Sequence, residues 1–269
     1  MTQAYTTSFW RTLWTNALIA PRTTLGFMRL DFVLGTIFVI PLTQMAFFAF
    51  VVILGGGTAS EIAFVAVGNA VATVTYSSVF SVCQTTDNEK QIGTMEHLLV
   101  SPASRFALYF GRGLLPILIS LVTVTVALSY AIVIFHAPIA TGSGWALAVS
   151  IVLTAFAMVG FGLLLGGVAL YLRTSLILAN IFLFIGLLLS GANFPVSVLP
   201  LPLQIAGDAL PLTWGIAAIR ASLSGGGLPQ LWPLWGAVGL SAVAGYGLAI
   251  GLWTTFERRA LKTGSIARF

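Results

Sequence analysis

Residues 145–170 read WALAVSIVLTAFAMVGFGLLLGGVAL, a run with no Asp, Glu, Lys or Arg. Eighteen or more consecutive apolar residues argue for a membrane-crossing helix, because about 20 residues at 1.5 Å rise bridge the hydrocarbon core. Similar stretches lie on both sides: about 32–54, 61–83 and 107–135 before it, about 175–194 and 233–256 after it. The expectation is an all-α membrane protein with six transmembrane helices. Composition agrees. The 269 residues are 58% hydrophobic and 7% charged, whereas a soluble domain carries about 25% charged residues. Too few charges are present to clothe a water-soluble body of this length.

Charge placement orients the helices. With the N-terminus inside, the inner segments hold Arg11, Arg22, Arg29, Lys90, Arg105, Arg112, Arg173, Arg258, Arg259, Lys262 and Arg268, and the outer segments hold Arg220 alone. Cytoplasmic loops are enriched in Lys and Arg. That asymmetry predicts an even number of crossings with both termini cytoplasmic. It also accounts for the net charge of +5 without nucleic acid. Residues 1–30 lack the apolar core of a cleavable signal peptide, so insertion is expected to rely on the spans. Residues 1–269 read as a single transmembrane domain: 1–31 cytoplasmic, 32–256 the spans, 257–269 a cytoplasmic tail.

Three segments are not expected to span. Within 5–20, Phe9, Trp10, Leu13, Trp14, Ala17 and Leu18 share one face, as in a helix lying in the interface. It serves either as an anchor or as a lever against a cytoplasmic partner. Between the second and third spans, Thr86-Asp87-Asn88-Glu89 has the pattern of a capping box. A short amphipathic helix is expected to start there, to carry Ile92, Met95, Leu98 and Leu99 on one face, and to stop at Pro102. Between the fifth and sixth spans, Pro195, Pro200, Pro202 and Pro211 divide an apolar stretch too short to cross. It predicts short extracytoplasmic re-entrant helices before the last span, one of them about Leu212–Leu223.

Chemistry is sparse. A phosphate cradle needs G-x-x-x-x-G-K-[ST]. Of the two lysines, Lys90 and Lys262, only Lys262 precedes a hydroxyl, Thr263, and no glycine stands at the required spacing. No ATP site is expected on this chain, and no cofactor or catalytic residue. Metal ligation is not expected either, with one cysteine, Cys83, and with His97 and His136 near opposite membrane faces. Polar residues inside spans are costly and often functional. Asn69, Thr73 and Ser77 follow one another at i, i+4 and i+8, continuing through Ser81 toward Gln84. Thr43 and Gln44, beside Pro41, are placed to face the same seam. Gln44, Asn69, Thr73 and Ser77 either bond helix to helix or line a translocation path, and the sequence leaves both open. Gly162 with Gly166, and Gly247 with Gly251, are expected to mark close helix packing. No buried acidic pair appears in the spans, with Asp31 and Glu61 at span ends. That weakens an ion-coupled secondary transporter, and a non-transporting scaffold or sensor is the other alternative.

Two segments carry a resemblance. Glu89-Lys-Gln-Ile-Gly93-Thr94-Met-Glu96-His-Leu98-Leu99-Val-Ser101-Pro102 resembles the E-x-x-x-G-T-x-E-x-L-x-x-[ST]-P segment of type-2 ATP-binding-cassette (ABC) exporter permeases. Ser190-Gly191-Ala-Asn-Phe194-Pro195, with Leu199-Pro200 and Leu210-Pro211-Leu212-Thr213-Trp214 through Ile219-Arg220, is similar to that family's stretch before the last span. His97 departs from the longer polar side chain of many relatives. The resemblance implies that 87–100 is a coupling helix docking on a separate nucleotide-binding ATPase subunit through Glu89, Gly93, Thr94, Glu96, Leu98, Leu99 and Pro102. It implies a second permease chain, identical or related, with the pathway between the two. ATP and Mg would sit on the partner ATPase, with export of an amphipathic or hydrophobic cargo such as a drug, lipid or glycan-like compound.

Overall fold

A computed structural model describes residues 34–92, 105–137, 144–169 and 175–263. Every regular element among them is helical. The first, α1, enters through a π-turn, Gly35–Val39, and continues as Ile40–Leu54. A tight turn holding Gly56 at φ +74° leads to α2. This helix comprises Ala59–Thr75, a second π-turn Tyr76–Phe80 and Ser81–Ile92. Then follow α3 (Arg105–Val133), α4 (Gly144–Ala169), α5 (Ser175–Leu189), α6 (Leu201–Asp208), α7 (Pro211–Leu223) and α8 (Leu228–Thr263).

Five of these are long and apolar enough to cross a membrane, within 35–54, 59–88, 113–133, 144–168 and 228–256. The sixth apolar helix, α5, has 15 residues, about 22 Å at 1.5 Å each. That is short of the ~30 Å core. The fifth span was expected to reach 194, but the helix stops at Leu189. Ser190–Phe194 instead form an irregular turn, with Gly191 at φ +77°, a left-handed conformation that glycine adopts without steric penalty.

The central helix is α2. Of its most apolar window 83% is buried, against 17% for α1 and 28% for α8, and it touches α1, α3, α4, α5 and α7. Its start is fixed by Thr58, whose backbone N–H donates to the Glu61 carboxylate at 2.6 Å while its hydroxyl accepts from Glu61 N–H. This is a complete capping box. The box expected at Thr86–Glu89 is not one. The helix runs on unbroken to Ile92, and the Thr86 hydroxyl donates to Val82 O, four residues back, at 2.9 Å. Thr86 lies inside an α-helix whose backbone donors are already paired, so nothing there requires a cap.

The most extensive packing joins α4 and α8. Trp235 Nε1 donates to Ser150 Oγ (2.8 Å), Tyr246 OH to Phe156 O (3.2 Å) and Trp253 Nε1 to Leu163 O (3.1 Å). The partners rise together along both helices, so α4 and α8 run parallel. The chain therefore crosses back once, through α5, and segment 190–227 turns at a single end of the bundle. Gly160 admits the Tyr246 ring: a Cβ there would lie 2.8 Å from the ring's Cδ2. Gly162 and Gly166 pack as expected, against Val79 and Ser78 in the π-turn and against Thr86. Gly247 and Gly251 show no such packing among the described residues, where a Cβ on either meets nothing within 4 Å. Among the described residues it is Gly245 that meets α4 from α8, at Gly160 and Phe161.

Candidate functional site: the seam between α1, α2 and the turn after α5

Near the end of the bundle that carries the 55–58 turn, α2 meets α1, the Ser190–Phe194 turn and the last turn of α7. Asn69 lies at the centre of this seam and is fully buried. Its Nδ2 donates to Val65 O (3.0 Å) and to Asn193 Oδ1 (2.8 Å), and its Oδ1 accepts from Gln44 Nε2 (3.1 Å). Asn193 Nδ2 in turn donates to Leu187 O at 3.4 Å. Three amides from α1, α2 and the turn thus form one chain. Both ends of its logic rest on backbone carbonyls, Val65 and Leu187, which accept only. Donor and acceptor ends of all three amides are therefore fixed.

A second contact closes the same place. Arg220, in the last turn of α7, sends Nη1 to Gly191 O (2.8 Å) and Nη2 to Phe64 O (2.8 Å) and Ala192 O (3.1 Å). Its guanidinium carbon stands 3.4 Å from the centroid of the Phe64 ring, a cation–π stack. Five donors in a planar fork suit this multiple capture, which a lysine ammonium cannot reproduce. Gly68 makes it sterically feasible. A Cβ there would run into Ala192 O and lie 2.6 Å from Arg220 Nη2. Counted in the sequence as an outer-segment charge within the expected helix Leu212–Leu223, Arg220 joins α7, the turn and α2. Its Nε has no hydrogen-bond partner among the described residues.

Beside the amide chain opens a cavity of about 670 Å³. Phe47 and Phe48 of α1, Val65 of α2, Phe184 and Leu187 of α5 and Phe194 of the turn form much of its wall, and its polar side chains are Gln44 and Asn193. Ligand cavities typically span roughly 300–1,000 Å³, mostly apolar with a few placed polar groups. Phe47 and Phe184 are 62% and 67% exposed, so the cavity opens sideways between α1 and α5.

Of the expected path residues, Gln44 and Asn69 come together here, with Gln44 on the wall and Asn69 behind it. Thr73 and Ser77 do not join them. Thr73 is buried with its hydroxyl donating to Ala70 O at 2.6 Å. Ser77 and Ser78 reach Ser120 Oγ of α3 at 3.0 and 2.6 Å, and Ser120 donates to Pro116 O at 2.6 Å. Thr43 is exposed and bonds its own helix at Val39 O. Glu89 lies in the last turns of α2. Gly93, Thr94, Glu96, Leu98, Leu99 and Pro102 fall outside the described residues, as do the expected interfacial helix 5–20 and the tail beyond 263. Asn193 and Arg220 were not read as site residues. The available signals were an amide in an apolar turn and a lone arginine in an apolar helix. Among the described residues no group of three or more His, Cys, Asp or Glu side chains gathers.

Apolar helices long enough to cross a bilayer, a centrally buried α2 and short helices turned back at one end define a multi-pass helical membrane protein. The model of the ABC-2 type transporter family matches residues 4–224, and the chain belongs to that family. It is similar to the "probable multidrug ABC transporter permease YbhR" of Escherichia coli strain K12 and of strain O157:H7. Each match is 29% identical over 126 residues, covering 47% of this chain and 32% of the relative. The match thus takes in about a third of these curated relatives' length.

Proposed function

We propose that this chain is the membrane subunit of an ABC exporter, driven by ATP and Mg held on separate nucleotide-binding ATPase subunits. The observation that carries this reading is the family match, which runs from before α1 to the end of α7. Both termini face the cytoplasm of the cell (inner) membrane. The coupling helix runs through Glu89, Gly93, Thr94, Glu96, Leu98, Leu99 and Pro102 to the ATPase. A second permease chain, identical or related, completes the translocation pathway. The cargo is amphipathic or hydrophobic, a class the apolar and aromatic cavity supports, and the relative's printed description as a multidrug permease points the same way.

Mechanically, a rigid helix docked on a motor transmits displacement to the spans, and α2 is the span best placed to distribute it. It contacts five other helices and carries the seam residue Asn69. Movement of α2 relative to α1 and the turn would remake the amide chain and change the cavity. Glu96→Lys is expected to abolish cargo-stimulated ATPase and transport in proteoliposomes holding the permease and its ATPase, with membrane insertion unchanged. Normal activity in that variant rules out the docking assignment.

A further inference from the structure

We infer that the α1–α2–α5 cavity is a selective site for amphipaths with an uncharged hydrogen-bonding head, such as a hydroxyl, glycoside or amide, and that Gln44 reads that head. This rests on the reading above that the seam carries cargo. The argument starts with hydrogen-bond capacity. Asn69 spends both amide hydrogens, on Val65 O and Asn193 Oδ1, and accepts from Gln44. It is an orienting residue with nothing left to donate. Gln44 spends one Nε2 hydrogen on Asn69. Its second hydrogen and its Oε1 have no partner among the described residues, and Gln44 lines the cavity. Asn193 likewise keeps one Nδ2 hydrogen beyond its bonds to Asn69 and Leu187. The cavity therefore presents a fixed acceptor and two fixed donors in an otherwise apolar wall.

That inventory selects a ligand class. A hydroxyl both donates and accepts, so it satisfies Gln44 Oε1 and an amide N–H together. An aliphatic or aromatic body covers Phe47, Phe48 and Phe184. No charged side chain lines the cavity, and a charged head buried without a counter-charge is penalised. Arg220 is not among the residues that line the cavity, and its Nη groups point to the carbonyls of Gly191, Ala192 and Phe64 instead. A lipid acyl chain alone would fill the apolar wall but leave the amides unmet, and so would the apolar flank of a second copy of this chain.

The test uses the full chain in lipid nanodiscs with three photoactivatable probes. All share one diazirine-bearing alkyl tail, and their heads are glucoside, carboxylate or trimethylammonium. Crosslinks are mapped by mass spectrometry. The glucoside probe is expected to label peptides of α1 and α5 at least fivefold above either ionic probe. Gln44→Leu is expected to lower glucoside labelling roughly fivefold, the size of one lost neutral hydrogen bond. Gln44→Glu is expected to swap the order, raising trimethylammonium above glucoside, which a merely structural role for Gln44 would not do. Equal labelling by all three heads in the native chain overturns the inference in favour of a lipid-filled cleft. No labelling of α1 or α5 by any of the three probes overturns it in favour of a cavity covered by a second chain. An unchanged head order in Gln44→Glu overturns the assignment to Gln44. The readout needs no ATP. Head selectivity without ATP-driven efflux removes only the exporter reading, and efflux without head selectivity removes only this inference.

Discussion

The α4–α8 interface and the α1–α2 seam are both held by side-chain hydrogen bonds, yet they are built oppositely. Along α4–α8, Trp235, Tyr246 and Trp253 each place one donor on one acceptor, and the surrounding surface is apolar or glycine. Each donor is used, and each ring fills the space beside it. In the seam, Gln44 and Asn193 retain unspent hydrogen-bonding capacity next to a cavity, and a buried guanidinium is met by backbone carbonyls. A saturated, close-packed contact has one good arrangement. A contact with spare donors has alternatives of similar energy, including water or a ligand in place of a protein partner. The first is suited to hold helices in a fixed relation and the second to exchange partners.

The largest expected effect that sharpens this contrast is at Gly68. Gly68→Val puts a branched side chain where Ala192 O and Arg220 Nη2 lie. It is expected to displace the turn and remove the folded peak in size-exclusion chromatography. A native-like melting temperature would mean the clamp is not as drawn. Next is Arg220→Met, which strips charge-assisted bonds from three carbonyls and is expected to cost about 2–4 kcal/mol, read as a lowered thermal midpoint in detergent. Arg220→Lys should recover only part of it, because a point charge cannot span the three acceptors. Trp253→Phe deletes one bond to Leu163 O and part of a ring. It is expected to cost about 1–2 kcal/mol while leaving the head-group preference of the cavity unchanged. If that preference shifts, the two regions are not separable. The smallest effect belongs to Ser77→Ala, about 0.6 kcal/mol as for an interhelical bond in a membrane protein, because Ser78 still reaches Ser120.

Much of the fold was legible because the apolar runs are long and the prolines fall between them. Pro211–Leu223 was anticipated almost to the residue, since Pro sits well at a helix start and Gly225-Gly226-Gly227 follows its end. The capping box at Thr86 misled for a definite reason. The pattern records what a helix start would use, but Thr86 also bonds comfortably to the carbonyl four residues back. The polar row Asn69, Thr73, Ser77 was read as one stripe. Steps of four advance 400° on a 3.6-residue helix, so the row turns about 40° at each step. Within eight residues it passes from the α1 side to α3, where Ser77 meets Ser120. Arg220 was hidden because its partners are backbone carbonyls on other elements, and a carbonyl leaves no mark in the sequence; Asn193 was hidden because its side-chain partner Asn69 lies 124 residues away along the chain. The coupling segment past Ile92 rests on its motif and the family alone.

One consequence of the π-turn at Tyr76–Phe80 lies in its geometry. A π-turn holds one residue more than the regular helix it interrupts. Were it to relax into ordinary winding, the half of α2 beyond Phe80 would advance by about 1.5 Å and swing by about 100° relative to the half bearing Asn69. The central helix thus behaves as a screw with a slack thread. On the proposed docking, a push at its far end would arrive at the seam as rotation.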